Sequence, residues 1–220
     1  MGCMLLAALV AVSALSLLQA PTNLIRNGDF SEGNVGFESA LPYVEPADNC
    51  LWPSGYTIAP TFNKPQLHRL IEIDRFSAAD RHTGKEQVFF ANAGGVEPVT
   101  VWSAKVKVQP MTRYRISFYA ASLSGREDGG TPPRQVPTQE WVPDFEIHAN
   151  QDIGSPYPAG LGKYYKVTMV WNSAKAKEAK IDIVRCRIEH GGGLIGISNI
   201  QMVPIQAAGA SEKPPVTSDS

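Results

Sequence analysis

Two side chains equipped for proton transfer stand two positions apart, Glu146 and His148, within DFEIHAN (Asp144–Asn150). On an extended strand, residues i and i+2 point to the same side. A carboxylate beside an imidazole can serve as general acid and base, and the same pair can hydrogen-bond sugar hydroxyls. Arg115 and Tyr119 stand four apart in RYRISFYA (Arg113–Ala120), again on one side of an extended chain. If the two strands share a sheet, all four side chains meet on its solvent face. Trp52 and Trp141, each beside a loop, would add rings at the rim. Sugars offer hydroxyls to charged groups and apolar C–H faces to aromatic rings. The plain alternative is a solvated sheet face with no ligand.

Other chemistries find little support. The four histidines (His68, His82, His148 and His190) form no His-x-His or His-Glu-x-x-His pattern, and no Cys-x-x-Cys occurs, so zinc is not expected. Gly-x-Ser-x-Gly is absent. HGGGLIG (His190–Gly196) resembles a lipase oxyanion loop, but without a nucleophile elbow it reads as a turn. No residue is assigned a catalytic role, and an enzyme is not expected. Lys and Arg number 20 against 21 Asp and Glu, a net charge of -1 with no long run of one sign, which points away from nucleic acid and anionic membranes.

The elements that must carry these side chains are strands. TVWSAKVKV (Thr100–Val108) alternates, with Trp102, Ala104, Val106 and Val108 on one side. RYRISFYA sets Tyr114, Ile116, Phe118 and Ala120 against Arg113, Arg115, Ser117 and Tyr119, and DFEIHAN sets Phe145, Ile147 and Ala149 against Glu146 and His148. YYKVTMVW (Tyr164–Trp171) and KIDIVRCRIE (Lys180–Glu189) read as two more strands. Such alternation means one buried and one wet face. QPMT (Gln109–Thr112) is a turn, and NSAKAKEAK (Asn172–Lys180), lacking an apolar stripe, is a polar connection. Many short strands between Gly- and Pro-rich turns predict an all-β, two-sheet antiparallel sandwich. Trp102 and Trp171 fall on apolar faces and are expected in its core. Two long irregular stretches, 40–65 and 124–139, interrupt it, the first rich in prolines and aromatics.

Ahead of these strands, residues 1–19 contain no Asp, Glu, Lys or Arg. That apolar run suits a secretory leader ending near residue 20 better than a membrane span, which needs about 20 apolar residues. The expected organisation is a signal peptide over 1–20, one domain over 21–205 and a disordered tail over 206–220. The destination is secreted, extracellular or periplasmic, with no span after leader removal. Cys50 and Cys186 then admit a single disulfide, which would tether the Pro-rich loop to a strand; the alternative is two buried free thiols.

The opening of the domain, NLIRNGDFSEGNVGF, resembles the first strand and turn of galactose-binding-like jelly rolls, the superfamily that includes many carbohydrate-binding modules. ADRHTGKEQVFFANAGG (Ala79–Gly95), VWSAKVKVQPMTRYRISFYAASL (Val101–Leu123), FEIHANQDIGS (Phe145–Ser155), VTMVWNSA (Val167–Ala174) and IGISNIQMVPI (Ile195–Ile205) follow in that family's order. The resemblance implies a jelly-roll β-sandwich. It also implies a turn in which Asn27-Gly28 tolerates positive φ while Leu24, Ile25 and Phe30 reach the core. Many relatives hold a structural Ca²⁺ with acids where this chain has Ser31 and Ser198-Asn199, so the acid-poor positions argue against calcium, and no other cofactor is expected. The functional expectation is a secreted, non-enzymatic module that binds an oligo- or polysaccharide at the cell surface or in extracellular matrix. Alternatives are a structural or adhesive protein with a cell-surface protein as partner, or a small polysaccharide-active enzyme.

Overall fold

The computed structural model describes residues 22–45, 54–60, 87–94, 97–122, 144–158, 160–161, 164–186 and 194–205. The leader, the tail, half of the first long stretch, all of the second, Cys50, Trp52 and Trp141 lie outside the described residues. Among those described there is no helix. The strands are β1 (Gly55–Pro60), β2 (Gln87–Asn92), β3 (Val99–Lys107), β4 (Arg113–Ser122), β5 (Asp144–Ala149) and β6 (Asp152–Ile153). They continue with β7 (Tyr157–Pro158), β8 (Gly160–Leu161), β9 (Tyr165–Asn172), β10 (Glu178–Arg185) and β11 (Leu194–Pro204).

They form two sheets, the sandwich expected from the alternation and the jelly roll implied by the resemblance. A six-stranded sheet runs β1-β2-β11-β4-β8, with β9 also on β4; a five-stranded sheet runs β3-β10-β5-β6, with β7 also on β5. All pairings are antiparallel except the two-residue contact of β4 with β8. Sequential strands are therefore split between layers: β3 and β4 are joined by a short turn but belong to opposite sheets.

The inward positions of both sheets make one core. Phe118, Phe145, Ile147, Ile181 and Ile197 are fully or almost fully buried, and Trp102 and Trp171 join them as their apolar faces predict. Burying a side chain of this size removes it from water at a gain of about 1.5–3 kcal/mol. β10 starts at Glu178, two residues earlier than the lysine-rich stretch suggests, because Ala179 is fully buried opposite Val106. The turn after β3 and the turn after β9 dock on each other. The Ser173 hydroxyl donates to Gln109 O at 2.7 Å and accepts from Thr112 N–H at 3.0 Å.

The first turn folds as the resemblance implies but for a partly different reason. Positive φ falls on Asn27 (52°) and Phe30 (58°), not on Gly28. Gly28 is required for closeness: a Cβ there would lie 2.0 Å from the Ile200 carbonyl oxygen. Asn27 locks the loop, its Nδ2 donating to Gly33 O and Val35 O at 2.8 Å each while Oδ1 accepts from Glu32 N–H at 2.8 Å. Two carbonyls of this loop thus face an amide donor, an arrangement that does not suit a cation. Ile25 and Phe30 reach the core, and Leu24 packs at its margin.

Candidate functional site

Pairing partners in an antiparallel sheet share a face, so the core residues fix the outward ones. In β5 the inward residues are Phe145, Ile147 and Ala149, which sends Asp144, Glu146 and His148 to the outer face of the five-stranded sheet. In β4 the inward residues are Tyr114, Ile116, Phe118 and Ala120, which sends Arg113, Arg115 and Tyr119 to the outer face of the six-stranded sheet. The shared face anticipated for Arg115, Tyr119, Glu146 and His148 is therefore not formed. Both alternations are correct, but β4 and β5 belong to different layers, and the two pairs lie on opposite outer surfaces. Trp52 and Trp141, the expected rim rings, lie outside the described residues.

On the five-stranded sheet, Glu146 Oε2 lies 2.8 Å from His148 Nε2, both side chains about a quarter exposed. His148 is opposite Asp182 of β10, whose carboxylate accepts from the Ser103 hydroxyl and pairs with Lys180 Nζ at 3.0 Å. At the end of β10, Cys186 N–H donates to Asp144 O at 2.9 Å. Burial, reinforced by Glu146 and Asp144, pushes the Cys186 thiol up to about 12. Burial likewise raises Asp144, with Glu146 adding to it. Cys186 is a free thiol among the described residues, and Cys50, its expected partner, lies outside them. A thiol held in its protonated form is a poor nucleophile and a poor metal ligand. No group of three His, Cys, Asp or Glu side chains among the described residues could hold a metal ion.

The six-stranded sheet presents a different surface. Register sets Arg115 between Val170 of β9 and Val203 of β11, Ser117 between Thr168 and Gln201, and Tyr119 between Lys166 and Ser198. Arg113, Arg115, Lys166 and Val170 are exposed and Tyr119 half-buried. Lys166 Nζ stands 5.7 Å from the Tyr119 ring centroid, a cation–π contact. The face is open on its β4–β9 side. On its β1–β2 side Val88 and Phe90 are buried although they point away from the core. Lys166, Thr168 and Gln201 escape a reading of β4 alone. Alternation in β9 marks Lys166 and Thr168 as outward, but only the register brings them beside Tyr119 and Ser117.

No family model matches the chain, and no curated protein matches it in sequence. Solved structures do match in fold. The enzymatically active domain of bacteriophage CBA120 tailspike protein 4 matches at TM-score 0.50 and 14% identity over 83% of this chain, which spans 21% of that one. The Stig cyclase Fisc from Fischerella sp. TAU matches at TM-score 0.52 and 12% identity, covering 86% of this chain and 100% of that one. TmCBM61, solved with β-1,4-galactotriose, matches at TM-score 0.50 and 11% identity, covering 84% and 99%. The fold is a jelly-roll sandwich, one that a carbohydrate-binding module and a cyclase share.

Proposed function

We propose that this protein is a secreted, non-enzymatic carbohydrate-binding module whose ligand lies across the outer face of the six-stranded sheet, over β4 and β9. The observation that carries this reading is the open band of hydrogen-bonding side chains there: Arg115, Thr168, Gln201 and the Lys166–Tyr119 pair on adjoining strands. Charged and amide groups on a rigid sheet suit sugar hydroxyls. Likeness in fold to a module solved with a galactotriose is consistent with this use of the scaffold. The apolar leader supports export to the cell surface or extracellular matrix.

Glu146 and His148 occupy the opposite surface and bond to each other, which favours a structural pair over an acid–base couple awaiting substrate. A glycan-array screen of the full chain, followed by titration of any hit against Arg115→Ala and Tyr119→Ala, tests the reading. Loss of binding in both variants, with unchanged circular dichroism, supports it. A hit that both variants bind as tightly as the parent moves the site elsewhere, and an array with no hit removes carbohydrate binding.

A further inference from the structure

Among the described residues, the outer face proposed above for a glycan carries charge of one sign. On β4 the outward residues are Arg113, Arg115, Ser117 and Tyr119; on β9 they are Lys166, Thr168, Val170 and Asn172; on β11 they include Ser198, Gln201 and Val203. Three are cations and none is a carboxylate. The chain as a whole is balanced, with a net charge of -1, so this face departs from what composition alone would place there. The other outer face is mixed, with Asp144, Glu146, Glu178 and Asp182 among Lys105, Lys107 and Lys180.

The cations also lack local acids. The ion pairs among the described residues are Arg26–Glu32 and Lys180–Asp182, with Glu146 hydrogen-bonded to His148, and none includes Arg113, Arg115 or Lys166. The neighbours of Arg115 across both strands are valines. The Tyr119 ring holds the Lys166 ammonium, so it positions a cation and its covered face is no stacking platform for a neutral sugar. From Arg113 to Tyr119, β4 extends roughly 20 Å at ~3.4 Å per residue, with cations at both ends, a span suited to an extended oligosaccharide with repeated charge.

We propose that the ligand of this face is an acidic polysaccharide whose charge is the carboxylate of uronic acid residues. The proposal rests on the carbohydrate-binding reading and narrows it. A guanidinium presents parallel N–H donors that match a planar carboxylate in bidentate fashion. Arg113 and Arg115, two residues apart on one strand face, would each take a carboxylate, and Lys166, held by Tyr119, would take a third as a point charge.

The test is calorimetric titration of the full chain with polygalacturonate, with the same polymer after methyl esterification, with dextran sulfate and with neutral β-1,4-galactan. The expected result is binding to polygalacturonate, weakened at least about tenfold by esterification, by Arg115→Ala and by high salt. Arg115→Lys should restore only part of the loss, because the bidentate fork is gone while the charge remains. Equal binding of the esterified polymer or of galactan, or tighter binding of dextran sulfate, overturns the carboxylate assignment while leaving carbohydrate binding standing. Absence of binding to every polysaccharide tested, including on an array, overturns both.

Discussion

Phe118 and Phe145 meet edge to face across the middle of the sandwich, ring centroids 5.9 Å apart and planes at 82°. Each is fully buried, and each has its chemistry-bearing neighbour one residue along, Tyr119 after Phe118 and Glu146 after Phe145. Because successive residues of a strand point to opposite faces, the contact that joins the two phenylalanines turns Tyr119 and Glu146 away from each other. Truncating Phe145 to Ala should cost about 3–5 kcal/mol, read as a shift of the urea unfolding midpoint with an unchanged slope. A cost below ~1 kcal/mol would mean that this contact does not hold the layers.

Opposite surfaces imply independence. Glu146→Gln should leave the affinity for any confirmed glycan within about twofold of the parent, and its effect should add to that of Arg115→Ala. A double-mutant cycle with a coupling energy above ~0.5 kcal/mol would place the two residues in one site after all.

The first turn depends on one amide and one missing methyl group. Asn27→Ala leaves the Glu32 N–H and the Gly33 and Val35 carbonyls without their partner, and removes a residue type that tolerates φ 52°. The expected cost is about 2–3 kcal/mol. Gly28→Ala forces a Cβ onto the Ile200 carbonyl and should cost about 1–3 kcal/mol as the closing strand is pushed aside. Chemical denaturation of both variants checks this. Added calcium should not restore either, since Asp29 and Glu32 there belong to no group of three metal-ligating side chains among the described residues.

The Cys186 thiol should react slowly. With its deprotonation pushed to about 12 by burial and by Glu146 and Asp144, little thiolate exists near neutral pH, and alkylation of the native protein should be far slower than in urea. Glu146→Gln removes a charge that disfavours the thiolate, so it should speed the reaction. The same shift acts on stability. The unfolded thiol loses its proton near 9.0 while the folded one keeps it to about 12. Stability is thus retained below 9.0 and falls as pH rises through that window. Tyr43 and Tyr56, also raised by burial, act in the same direction. Cys186→Ser should therefore flatten only part of the alkaline decline, measured as unfolding midpoints against pH.

What the sequence determined by itself is the character of each strand. Period-2 alternation depends only on neighbouring residues, so it places Ile116, Phe118, Phe145 and Ile147 inside and Arg115, Tyr119, Glu146 and His148 outside without knowledge of any partner. The turn around Asn27 and the core positions of Trp102 and Trp171 were legible for the same local reason. Sheet membership was not, because alternation is the same whichever layer a strand joins. That β4 pairs with β9 and β11 while β5 pairs with β10 is settled by how the whole set of apolar faces closes on one core. Only that closure separates Tyr119 from Glu146, sets Lys166 against the Tyr119 ring, and gathers Arg113, Arg115 and Lys166 on a face without acids among the described residues. It likewise sets Cys186 beside the start of β5, where its N–H meets Asp144 O, a pairing that no local pattern encodes.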